Sequence, residues 1–68
     1  MELQPHQQRV VDEKKELDDK REKLLTFING QIFRNLEQAE KDRLLTQYGV
    51  MGVYSEILHQ RIRAFSSR

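Results

Sequence analysis

Apolar residues recur in the N-terminal half at Val10, Leu17 and Leu24, seven apart, with Ile28 four further on. Val11 and Leu25 broaden the stripe. At 3.6 residues per turn these positions share one helical face. The residues between them are nearly all good helix formers: Gln, Glu, Lys, Leu, Arg and Asp. Pro5 stands where a first helical turn tolerates proline. A first helix over about 5–29 follows. Glu16 with Lys20, and Asp19 with Lys23, are acid-then-base pairs four apart, each adding about 0.2–0.5 kcal/mol to the isolated helix. Asn29-Gly30 suits the left-handed backbone that ends many helices.

Gln31 to Arg34 then read as the connection, with Ile32 and Phe33 folded inward. Asn35 reads as an N-cap, and Gln38 three residues later completes a capping-box signature. The second helix is predicted over about 36–65. Its seam is Leu44, Tyr48, Met51, Leu58, Ile62 and Phe65, in alternating three-four spacing interrupted only by Ser55. Ser66, Ser67 and Arg68 read as a frayed tail. Each helix would be roughly 35–45 Å long at 1.5 Å per residue, and so short a connection makes them antiparallel neighbours. No internal repeat, low-complexity tract or linker divides the chain. The fold class is therefore all-α: one antiparallel two-helix hairpin domain over 1–68.

A lone hairpin covers one stripe on each helix. Leu25, Phe27, Leu45, Val50, Val53, Tyr54 and Ile57 fall outside a single stripe. Burying such a side chain is worth about 1.5–3 kcal/mol, and a chain this short buries little on its own. The expectation is a homo-oligomer, a compact dimer or higher ring. The seam is too short and interrupted for a fibrous coiled coil.

Charge narrows the function classes. Charged residues make up 34% of the chain, yet the net charge is only +1, which argues against a dedicated nucleic-acid binder. There is no cysteine, so disulfides and thiolate metal sites are excluded, and a reducing cytoplasm fits. No apolar run approaches the roughly 20 residues of a bilayer span. The start, MELQPHQQRV, lacks the apolar core of a secretory signal. A soluble, cytoplasmic protein is expected.

Several residues invite a functional reading beside a plainer one. Lys14 and Arg21 occupy seam positions of the first helix. Either their stems line the core edge with the charges in water, or they, or neighbouring Lys20, face an anion held between protomers. Arg61 and Arg63 lie in an acid-free stretch. They meet the negative end of the helix dipole, or they converge at an oligomer axis as a phosphate receptacle. Gly49 and Gly52 each cost the second helix roughly 1 kcal/mol relative to alanine. They permit close packing of another helix or, alternatively, let a flat ligand reach the backbone. His6 and His59 lack a third ligand at helical spacing, so no metal site is expected. Ser55 and His59 have no orienting acid or oxyanion hole. Asp12, Glu13, Glu16, Asp18 and Asp19 read as a solvated face, and no Gly-rich phosphate loop is present. Neither catalysis nor a cofactor is expected.

The run Pro5-His6-Gln7-Gln8-Arg9-Val10-Val11-Asp12-Glu13-Lys14, then Leu17, Leu24, Phe27-Ile28, Phe33 and Leu36, carries a resemblance. It continues through Leu44-Leu45, Gln47, Met51, Tyr54-Ser55, Ile57-Leu58 and Arg61-Ile62. Together these resemble the small phage anti-CBASS sponge proteins, whose helical hairpin is shared with anti-Thoeris sponges. The resemblance implies a protein that sequesters cyclic oligonucleotide immune signals in an infected bacterial host, without cleaving them. It implies a hexamer built as a trimer of dimers, with separate pockets for cyclic dinucleotides and cyclic trinucleotides. Arg61, with Arg63 as the fallback, matches the family's trinucleotide-phosphate arginine, and Ala64 and Phe65 adjoin it. Lys20, or Arg21 in a register shifted by one, matches the basic residue of the dinucleotide pocket.

That pocket also uses an aromatic near the N-terminus to stack on a base. No Phe, Tyr or Trp precedes Phe27 here, and His6 is the nearest substitute. Stacking is worth about 1–3 kcal/mol per base, so the expectation is a retained trinucleotide site and a weak or absent dinucleotide site. An antiparallel hairpin turning near Ile32 would also bring His6 close to Arg61. Two rivals remain. One is a protein-interaction module whose exposed stripe takes a partner's helix. The other is a nucleic-acid binder using the C-terminal arginines, with steep salt dependence.

Overall fold

A computed structural model of the chain describes residues 2–66. They form α1 (Pro5–Ile28), a single turn α2 (Gln31–Arg34) and α3 (Gln38–Ala64). No strand occurs among the described residues. The predicted hairpin is present: α1 packs along α3 and the molecule is a rod of 49 × 15 × 14 Å. No helix is long and apolar enough to cross a membrane.

α1 starts at Pro5 as predicted, with Gln4 as N-cap, and the Gln7 side chain accepts the Gln4 backbone N–H at 2.8 Å. The connection differs from expectation in four respects. Asn29 ends α1 in right-handed conformation, and Gly30 is extended at φ −94° and ψ 174°, so no left-handed cap is used. The reason is that Gln31–Arg34 coils into α2, which takes Gly30 as its N-cap. Asn35 closes that turn as C-cap instead of opening the next helix; α3 begins at Gln38, with Glu37 as its N-cap. Gln38 does not reach back as a capping box; its Nε2 donates to Asp42 one turn on, at 2.8 Å. Ile32, expected inward, is 67% exposed. Phe33 is half-buried, with the Lys41 ammonium 6.0 Å from its ring centre. The tail expected to fray lies mostly outside the described residues, at Ser67 and Arg68; Ser66 is in a turn.

The two predicted seams meet. Val10, Leu17 and Leu58 are buried, and Met51, Ile62 and Phe65 pack against them. Leu58 is the centre of this cluster, with no exposed surface. Leu24, Ile28 and Leu44, nearer the connection, are half-buried. Of the predicted ion pairs, Asp19–Lys23 forms at 3.0 Å on the surface. Glu16 and Lys20 form no such pair among the described residues; Lys14 and Asp18, base before acid, pair at 2.6 Å instead. The seven apolar residues expected outside the stripe are all exposed: Leu25, Phe27, Leu45, Val50, Val53, Tyr54 and Ile57.

Candidate functional site

The polar seam residues account for one another. In α1 the positions between Val10, Leu17 and Leu24 are Lys14 and Arg21; in α3 the position between Met51 and Leu58 is Ser55. The Ser55 hydroxyl donates to Asp18 Oδ1, and Lys14 Nζ donates to Asp18 Oδ2 at 2.6 Å. Two donors on one carboxylate favour its charged form. Lys14 first, then Ser55, therefore hold Asp18 below its ordinary value of 3.8, and the Arg21 charge adds to this. Asp18 belongs to the interhelical seam and not only to a solvated face.

Arg21 reaches across to α3 in another way. Its Nε donates to the Tyr48 carbonyl at 3.2 Å, and its guanidinium carbon lies 4.0 Å from the centre of the Tyr48 ring. A cation over an aromatic face is attracted by the ring quadrupole. Gly52 makes this position possible. A Cβ there would stand 2.8 Å from Arg21 Nη2 and 3.1 Å from its central carbon. Gly52 thus serves close packing, against an arginine of α1. Gly49, one turn earlier, is different: a Cβ would meet nothing within 4 Å. Nothing within the chain offsets its helix penalty of roughly 1 kcal/mol.

These residues line an open groove of about 660 Å³ along one flank of the hairpin. Its walls are Lys14, Arg21, Gly49, Gly52, Val53, Ser55, Glu56 and His59. Lys14 is neutralised there by Asp18. Arg21, also half-buried, pairs with no carboxylate among the described residues. Its Nη groups bond to no acceptor among them. The groove is therefore mixed in character: Lys14 and Arg21 both line it, and the Asp18 carboxylate attracts both.

Of the residues matched to a nucleotide pocket, only Arg21 lies in this groove; Lys14, Gly49 and Gly52, also singled out in the sequence, line it too. Lys20 is exposed and lies about 100° further round α1. His6 is exposed at the start of α1. The register set by Asp18–Ser55 and Arg21–Gly52 carries His6 beyond the end of α3, nearly two turns past the level of Arg61, so the expected approach of His6 to Arg61 is not met. Arg61 and Arg63 are both exposed, and two residues along a continuous helix lie about 200° apart. They point to opposite flanks. Arg61 falls on the strip of Tyr54 and Ile57; Arg63 falls on the strip of Glu56 and His59. Ala64 is exposed, whereas Phe65 packs against the core. Sequence reasoning passed over Asp18, Ser55 and Tyr48 as partners. The signal was present in the interruption at Ser55, which in an antiparallel register faces the polar positions of α1.

Ser55 donates to Asp18 and not to His59, and no group of three or more His, Asp or Glu able to hold a metal occurs among the described residues. A family model described as Sequestin matches residues 4–64, nearly the whole chain. No curated protein and no solved structure gives a match.

Proposed function

Since the chain belongs to the Sequestin family, a name that denotes sequestration, we propose that it acts by binding and holding a small signal, and that the signal is a cyclic oligonucleotide of bacterial immunity. Cyclic trinucleotide is favoured over cyclic dinucleotide, and the ligand is released intact. The match over residues 4–64 carries this reading. The resemblance to phage anti-CBASS sponges supplies its finer content, including a setting in the cytoplasm of an infected bacterium.

The geometry supports it at one place. Arg61 shares its strip of α3 with Tyr54 and Ile57, part of a face that also carries Val50 and Val53, and all four apolar residues are exposed. If copies of the chain meet on this face, as in a hexamer built as a trimer of dimers, Arg61 stands at the meeting. Three copies around an axis then present three guanidinium groups to the three phosphates of one ligand. Arg63, on the other flank, serves only as the alternative, and Ala64 and Phe65 frame the end of the helix. The dinucleotide pocket, drawn from His6 and Lys20 or Arg21, lacks a stacking aromatic and is the weaker one.

Isothermal titration with cyclic trinucleotide and, separately, cyclic dinucleotide tests this reading, with recovered ligand checked for integrity. Expected are tighter trinucleotide binding, intact ligand, and loss of trinucleotide binding in Arg61→Ala with assembly preserved. Cleaved ligand, or equal affinity for both classes, contradicts it. The same exposed face of α3 is the observation that favours the second reading, a protein-interaction module, which no binding of either ligand would leave as the better one.

A further inference from the structure

We propose that Met51 makes the hairpin redox-sensitive: hydroperoxides convert its thioether to the sulfoxide from the flank of Gln47, and the contact between α1 and α3 loosens until a reductase removes the oxygen.

Met51 carries the only sulfur among the described residues. It stands on the α3 seam between Tyr48, whose carbonyl takes the Arg21 bond, and Ser55, which donates to Asp18. It packs on the cluster of Val10, Leu17 and Leu58, yet it is only half-buried. The open side of the sulfur is marked by Gln47, an exposed residue one turn earlier, whose Nε2 lies 4.0 Å from Sδ. At about 100° per residue, Gln47 shares the flank of Tyr54 and Arg61, opposite Gly52 and His59. An oxidant arriving there reaches the sulfur without crossing the core or the groove.

In the step itself the sulfur lone pair attacks one oxygen of the peroxide and the O–O bond breaks. An S–O bond forms, and the other oxygen leaves as hydroxide and takes up the displaced proton as water. Sulfur loses two electrons and the peroxide gains them. A thioether fills irregular apolar gaps, whereas a sulfoxide is polar and disrupts the core it sits in. The Gln47 amide can donate to the new oxygen on the outer side, which draws the oxidised side chain away from Leu58. Only Val10, Leu17 and Leu58 are buried, and Met51 is one of three side chains packed against them. A polar atom at this position is therefore felt along the whole contact.

Full-length wild type, Met51→Leu and Met51→Gln are treated with hydrogen peroxide. Peptide mass spectrometry locates the added oxygen, and melting is followed before and after. Wild type is expected to take one oxygen at Met51 while folded and to melt about 5–15 °C lower. Methionine sulfoxide reductase is expected to restore the original transition. Met51→Leu, a swap of similar volume, should melt alike before and after treatment, although Met1 still oxidises. Met51→Gln, polar and of similar length, should melt as low as oxidised wild type with no oxidant present. Absence of oxygen at Met51 in the folded protein overturns the proposal. So does a sulfoxide there with unchanged melting, an equal loss in treated Met51→Leu, or wild-type melting in Met51→Gln.

Discussion

Leu58 holds the smallest unit of stability in the hairpin. It has no exposed surface and touches the cluster of Val10 and Leu17. Leu58→Ala removes the buried atoms and leaves a cavity between two helices that pack on little else. A loss of about 2–5 kcal/mol is expected from chemical denaturation, a large share of the stability of a small domain. Asp18 acts at the same scale through protons. Its carboxylate is stabilised in the fold and less so in the unfolded chain, so the unfolded state binds more protons where the two values differ. The contribution is complete above pH about 5 and fades as pH falls below the ordinary value of 3.8. Thermal unfolding followed from pH 6 to about pH 2.5 should show wild type losing more stability than Asp18→Asn on the acid side. Parallel curves would mean that Asp18 titrates alike in both states.

The helices themselves could be read almost entirely from spacing. Val10, Leu17 and Leu24 on one side, and Leu44 through Phe65 on the other, mark their faces without ambiguity, because a seven-residue recurrence permits few alternatives. Pro5 marks the start of α1 for a local reason, its fixed φ and missing donor. The connection was less legible. Asn29, Gly30 and Asn35 favour turns in general, and several turn geometries accept them. The choice of a one-turn helix over a left-handed cap depends on how α1 must deliver the chain to α3. Gly49 and Gly52 show the same limit within one element: identical residues three apart, one filled by Arg21 and the other open. Their difference is a property of the neighbouring helix. At this scale Gln7→Ala, which removes the acceptor of the Gln4 N–H, should fray the first turn of α1 and lower stability by about 0.5–1 kcal/mol. Amide exchange at Gln7 and Gln8 would report it; unchanged protection there would show the cap to be idle.

For the whole molecule, three buried side chains against eight exposed large apolar ones is an inverted proportion. Val50 at 61%, Val53 at 63% and Ile57 at 50% exposure lie together on the outer side of α3. Assembly through that face predicts a melting temperature that rises with protein concentration, and Val53→Glu should abolish the rise. A concentration-independent transition would indicate that the hairpin stands alone. None of the ligand chemistry can be read at this scale from composition, since a net charge of +1 says nothing of where a guanidinium is held. The sequence showed that Arg21 interrupts a seam. It did not show that Asp18 takes its hydrogen bonds from Lys14 and Ser55 while Arg21, within reach of the same charge, turns to the Tyr48 carbonyl and ring. That distinction arises only when the two helices are set side by side.

The interruption at Ser55 has one more effect. A seam of leucines spaced by sevens looks the same after a slip of one heptad, so apolar contacts alone would let α3 ratchet along α1. Ser55 on Asp18 and Arg21 in the hollow of Gly52 fit at one alignment only. The hairpin is keyed, and its length errors must therefore be expressed at the end where the chain turns. Residues added between Ile28 and Gln38 should bulge outward as a longer loop, leaving every pairing further along the rod in place.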